Sequence, residues 1–127
     1  MAKAKIARDG AGNFFGIHFR CPGCASEHGG KGGVSLPVSN WRPPNEVEGG
    51  SAKPLPHWTF NGDFENPTFH PSVLSRYEYP AEDGQPAVKF TCHSWVRNGR
   101  IEFLSDCTHA LAGKTVDLPI LPDEGEA

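Results

Sequence analysis

The residues with the clearest chemistry in this chain are its four cysteines and the histidines near them. Cys21-Pro22-Gly23-Cys24 is a Cys-x-x-Cys pair on a turn, the spacing that lets one loop supply two thiolate ligands to a metal. A second cluster, Cys92, Cys107 and His109, lies far downstream. Zinc is usually held by four Cys or His side chains in a tetrahedron, so one site drawing on both clusters would tie distant parts of the chain together. Cys21, Cys24 and Cys92 lead as ligands. Cys107 and His109 compete for the fourth position, with His28 and His93 as outside candidates. Four protein ligands make a closed, structural site, whereas three plus water leave a position open for catalysis. The thiolate-rich donor set points to a structural zinc, whose binding would drive folding because the unfolded chain holds no preformed cage.

These ligands need elements to bring them together. Asn98-Gly99 is the dipeptide preferred by a two-residue hairpin turn, in which both central residues take positive φ. The flanking runs VKFTCHSWVR (88–97) and RIEF (100–103) are rich in residue types that suit a pleated sheet. This turn predicts Val96 opposite Ile101, Ser94 opposite Phe103, Cys92 opposite Ser105 and Phe90 opposite Cys107. With side chains alternating at period two, Cys92, Cys107 and His109 share a face. Asp106 is placed to cap a short helix over 107–112 that stops at Gly113. NFFGIHFR (13–20) alternates as a strand and runs directly into the first cysteine pair. Further short strands are predicted over 34–38, 73–79 and 115–118, and residues 40–56 form a long Pro/Gly-rich loop around Trp41. The predicted class is mainly β, α+β at most: a small antiparallel sheet with one short helix and long loops, stabilised by zinc. A polar arm (1–12), one zinc-binding domain (13–118) and an acidic tail (119–127) complete the division.

Composition agrees with a turn-rich domain. Fifteen glycines and twelve prolines in 127 residues leave room for few long elements, so a metal would support a modest core. A net charge of −3 argues against broad binding to a phosphate backbone. No apolar run is long enough for a signal peptide or a membrane span, so the chain is expected to be cytoplasmic. Reducing conditions there favour metal ligation over disulfides.

Other polar residues are ambiguous. His57, Trp58 and Asp63, joined by His93, form a candidate ligand pocket; alternatively the polar groups shape turns and Trp58 fills the core. His93 adjoins Cys92 but points to the opposite face, as either a general base or an ordinary histidine. Asp106 reads as a helix cap rather than an acid catalyst. The chain contains no Gly-x-Ser-x-Gly elbow, no His-Glu-x-x-His helix and no phosphate loop, and no catalytic residue is assigned.

Five ordered motifs, CPGC (21–24), WTFNGD (58–63), NPTFHPS (66–72), CHSWVRNG (92–99) and DCTHALAG (106–113), resemble an uncharacterised family of small phage and prophage proteins. Some of its members carry the label "ammonia monooxygenase". The resemblance runs from about Cys21 to Leu118. It implies a cytoplasmic protein of an infected or lysogenic bacterial host, with a metal site at the quoted Cys and His positions. The 40–56 insertion and His70 depart from the family pattern. The leading functional expectation is a non-enzymatic protein, folded around zinc, that binds a host or phage protein. A metal-dependent hydrolase with an open zinc site is the second expectation, and a zinc protein that binds nucleic acid the third.

Overall fold

The computed structural model of the chain describes residues 2–28, 32–44, 57–79, 84 and 86–122. Its architecture grows from the Asn98-Gly99 turn, where φ is 50° and 75°, the paired left-handed geometry that a two-residue hairpin requires. The turn joins β7 (Val88–Arg97) to β8 (Arg100–Phe103) with Val96 opposite Ile101 and Ser94 opposite Phe103, as expected. Just beyond Phe103 the predicted register stops. Leu104 N–H still bonds His93 O in register, but a turn closed by Cys107 N–H to Leu104 O inserts two residues, so that Thr108 rather than Asp106 reaches Thr91 O. On the other side of β7, Ser94, Cys92 and Phe90 pair with Val73, Ser75 and Tyr77 of β6 (Val73–Tyr79). With β9 (Thr115–Asp117) added to β8, the antiparallel order is β6-β7-β8-β9.

A second antiparallel sheet has the order β1-β2-β3, from β1 (Ala4–Arg8), β2 (Phe14–Arg20) and β3 (Gly33–Leu36). The N-terminal segment expected as a polar arm thus contributes a strand, and Ala4 is buried in the core. Likewise Leu121, within the expected acidic tail, is buried, and its N–H donates to Ala2 O at 2.8 Å. Two-residue strands β4 (Thr59–Phe60) and β5 (Phe69–His70) form a small third ladder. Apolar side chains from all three ladders meet in one core. Phe69 stacks between Phe19 of β2 and Phe60 of β4, with ring centroids 5.6 and 5.3 Å apart. Each such buried ring contributes about 2–3 kcal/mol of transfer free energy. The hairpin tip docks on the same core through Gly99 N–H to Pro67 O and Asn98 N–H to Thr68 Oγ1.

The fold is mainly β, with antiparallel sheets and one short helix among the described residues. That helix, α1 (Pro22–His28), is not where the sequence placed it. Residues 107–112 make turns, and the helix starts inside the cysteine pair, with Pro22 at its first position. Proline suits that place because its missing N–H would be unpaired anyway. Asp106 therefore caps no helix.

Candidate active site and metal centre

Strand β7 carries two kinds of chemistry on its two faces. Cys92 and its even-numbered neighbours Phe90, Ser94 and Val96 point into the core, while Thr91, His93 and Trp95 are half-buried on the outer face. A second segment repeats the alternation: Cys107 is buried and Asp106, one residue earlier, is exposed.

On the inner side, Cys21, Cys24 and Cys92 bring their sulfurs within 4.8 Å of one another, and so do the ligand atoms of Cys92, Cys107 and His109. All five side chains are buried. Cys21 and Cys92 sulfurs are 3.7 Å apart, matching the separation of about 3.8 Å between two thiolates bound tetrahedrally at about 2.3 Å. His109 Nε2 lies 3.3 Å from Cys92 Sγ. Cys24 N–H donates to Cys21 Sγ at 3.4 Å, which fixes the first sulfur at the start of α1. Gly23 is needed between them, since a Cβ there would overlap the His109 ring. The residues present fit a metal ion, with Cys21, Cys24 and Cys92 as ligands and both Cys107 and His109 within reach of the fourth position. The side chain of His28 lies outside the described residues.

Electrostatics within this cluster follow from packing thiols together. Cys24 and Cys92 donate hydrogen bonds to Cys21, which favours its thiolate and lowers its pKa. Those donated bonds, with burial, hold Cys24 and Cys92 in the protonated form and raise their pKa values. Without a cation the cluster holds one negative charge well and resists a second. A divalent cation reverses that balance by expelling the remaining protons.

On the outer side, a different group assembles. Ser72 Oγ is 3.0 Å from His93 Nε2, and His93 Nδ1 is 3.1 Å from Asp106 Oδ2. His93 is held by its backbone: Leu104 N–H donates to its carbonyl at 2.9 Å, and its own N–H donates to Cys107 Sγ at 3.2 Å. Thr108 N–H also bonds Thr91 O at 3.0 Å, so the 104–108 loop is strapped along β7 with Asp106 facing His93. Ser72 lies between β5 and β6, directly after the cis His70-Pro71 peptide, and its carbonyl accepts the Trp58 indole N–H at 3.2 Å. Side-chain exposure is 25% for His93 and 53% for Asp106, so the group is open to solvent. With Asp106 accepting the Nδ1 proton, Nε2 is free to take the proton of Ser72. This is the nucleophile, base and orienting carboxylate arrangement that recurs on unrelated folds and is recognised by geometry rather than by chain order.

Of the expected pocket, His93 and Trp58 both converge on Ser72. Asp63 instead closes a turn, accepting the N–H groups of Glu65 and Asn66, and His57 is exposed one residue before Trp58. Ser72 itself carried no signal of its own in the sequence, since no elbow motif surrounds it. The available clue was the alternation: a residue next to a buried cysteine on a strand must face the other way.

Fold and site define a class: a small, mainly antiparallel β protein with a Ser–His–Asp relay at its surface and a cluster of metal-ligating side chains beneath it. The chain belongs to the BubE family, described as a bacterial ubiquitination-like system serine protease, whose family profile matches residues 3–104. That span includes Ser72 and His93 and ends just short of Asp106. No curated protein and no solved structure matches the chain. No helix among the described residues is long and apolar enough to cross a membrane.

Proposed function

We propose that this chain is a serine protease acting on protein substrates of a bacterial ubiquitination-like system, with Ser72 as nucleophile, His93 as general base and Asp106 as its orienting partner. The observation that carries this reading is the unbroken hydrogen-bonded path from Ser72 Oγ through the His93 ring to Asp106 Oδ2. Ser72 attacks the scissile carbonyl carbon as its proton passes to His93 Nε2. The imidazolium then gives that proton to the leaving amine, and water, activated by the same nitrogen, releases the acyl group. Asp106 holds the Nδ1 proton and balances the charge on the ring in both steps. The family's description supports the same chemistry.

The reading takes the ion of the inner cluster to be zinc with a structural role. Its donors are thiol-rich and buried, and they lie on the face of β7 opposite Ser72 and His93. The protein partner expected from the sequence becomes the substrate, and a phage-type protein in a bacterial cytoplasm would meet such substrates there. A purely non-enzymatic role gives the relay nothing to do.

Labelling with a fluorophosphonate probe, which reacts with activated serines, tests the proposal. Wild-type protein should be labelled at Ser72, as located by peptide mapping, while Ser72→Ala and His93→Ala should not be labelled. A wild-type protein that resists the probe, or a Ser72→Ala variant labelled equally, would show the relay to be inactive.

A further inference from the structure

The outer edge of β6 begins where the proposed nucleophile sits. In the sheet order β6-β7-β8-β9, β6 is a terminal strand, and no strand among the described residues pairs with its far side. Hydrogen-bond parity fixes which groups face outward. The Arg97–Arg100 pair that closes a two-residue hairpin exchanges both of its bonds, so odd-numbered residues of β7 direct their N–H and C=O groups towards β8. Leu104 N–H to His93 O and Thr108 N–H to Thr91 O follow the same parity. Ser94, Cys92 and Phe90 must then bond Val73, Ser75 and Tyr77 across the β6–β7 ladder. That leaves the backbone groups of Leu74, Arg76 and Glu78 pointing off the edge of the sheet.

Long open edges recruit other strands unless they are blocked. Here the edge is closed at one end, where the Trp58 indole bonds the outward carbonyl of Ser72. Among the described residues it is open from Leu74 onward. Leu74, a large apolar side chain left 45% exposed, stands directly across from His93 on the relay's face. Beyond it, Arg76, Glu78, Lys89 and Asp106 border a cavity of about 560 Å³ on the same face.

We infer, resting on the Ser72 protease reading, that the substrate is taken as an extended chain that adds to the sheet along the outer edge of β6. Its backbone pairs with Leu74, Arg76 and Glu78, and its scissile carbonyl lies at Ser72, where Trp58 ends the open edge. Residues on one side of the scissile bond are therefore held by backbone pairing, and alternate side chains on that side face Leu74 and the charged cavity. The substrate class is an unfolded or tail-like protein segment rather than a folded surface.

The test uses a ten-residue peptide cleaved by the wild-type protein, obtained from a digest of reduced casein and resynthesised with a single N-methyl group at each position in turn. Strand addition predicts that kcat/KM falls about tenfold at alternate residues on one side of the scissile bond and is spared between them, because a lost backbone donor leaves a carbonyl of the edge unpaired. In the Ser72→Ala protein with the unmodified peptide bound, the amides of Leu74 and Arg76 should gain protection from hydrogen exchange. Uniform sensitivity to N-methylation, binding without protection of β6, or a wild-type protein that labels at Ser72 yet cleaves no casein segment would each overturn strand addition. Failure of fluorophosphonate labelling would instead remove the protease reading on which it rests.

Discussion

Replacing Asp106 by Asn tests whether the outer relay works as a unit. The amide is nearly isosteric, so the 104–108 loop, held by backbone bonds to His93 and Thr91, should keep its place. Two things change. The negative charge 3.1 Å from His93 Nδ1 is lost, and the amide can donate to that nitrogen, which selects the tautomer unable to accept from Ser72. At 3.1 Å the charge interaction with an imidazolium is about 1.3 kcal/mol at a dielectric of about 80 and about 5 kcal/mol at about 20, a factor of about 10 to 5,000 in rate. Asp106 is 53% exposed, so water screens the pair and the lower part of that range applies. We expect kcat for a cleaved peptide to fall about 30- to 100-fold with KM nearly unchanged, and the rate of fluorophosphonate labelling to fall in parallel. A variant with native zinc content that stays within about twofold of wild type in both assays would refute a role for Asp106, and with it the relay as a three-member device.

Further predictions concern the inner cluster. Elemental analysis should find one zinc per chain, and Cys92→Ser should lose it together with cooperative unfolding, since binding free energy at such a site is folding free energy. Metal affinity should rise with pH. The raised pKa values of Cys24 and Cys92 mean that their protons must leave on binding, and these two thiols alone give about a hundredfold per pH unit. Counting released protons by calorimetry in buffers of different ionisation enthalpy also identifies the fourth ligand. Cys107, whose thiol donates to His93 O, would release a further proton, whereas His109 coordinating through Nε2 would carry its ring proton on Nδ1, give up the Leu111 N–H bond and release none. Gly23→Ala should destabilise the protein by about 1–3 kcal/mol, seen as a lower midpoint in urea, because the added methyl overlaps the His109 ring.

The hairpin was legible because Asn98-Gly99 specifies its own geometry, and the thiol cluster because cysteine spacing is a chemical signature. Both depend on few residues close in sequence. The register beyond Phe103 was not legible: the turn alone predicts continued pairing, but a turn from Leu104 to Cys107 inserts two residues before Thr108 bonds Thr91. The predicted helix at 107–112 failed for a related reason. Its capping signal, Asp106, faces His93, and Thr108 N–H bonds Thr91 O of β7, which leaves only a local turn from Ala112 N–H to His109 O. Ser72 was invisible because its role comes from three segments meeting, with β5, β6 and Trp58 placing it and no local motif surrounding it.

Cys92 precedes His93 and Asp106 precedes Cys107, so two of the three relay residues each share a peptide bond with an inner metal-ligand candidate. This arrangement would confuse classification by inhibitor. A chelator that strips the inner ion would loosen the backbone under both His93 and Asp106, and a thiol reagent or oxidant reaching the freed cysteines would then prevent recovery. On the Ser72 protease reading, an extract assayed in this way would present the activity as a metallopeptidase or a cysteine peptidase, although the nucleophile is a serine on the opposite face of β7. Covalent capture at Ser72 in metal-replete buffer is the assay that reports the chemistry of the site itself.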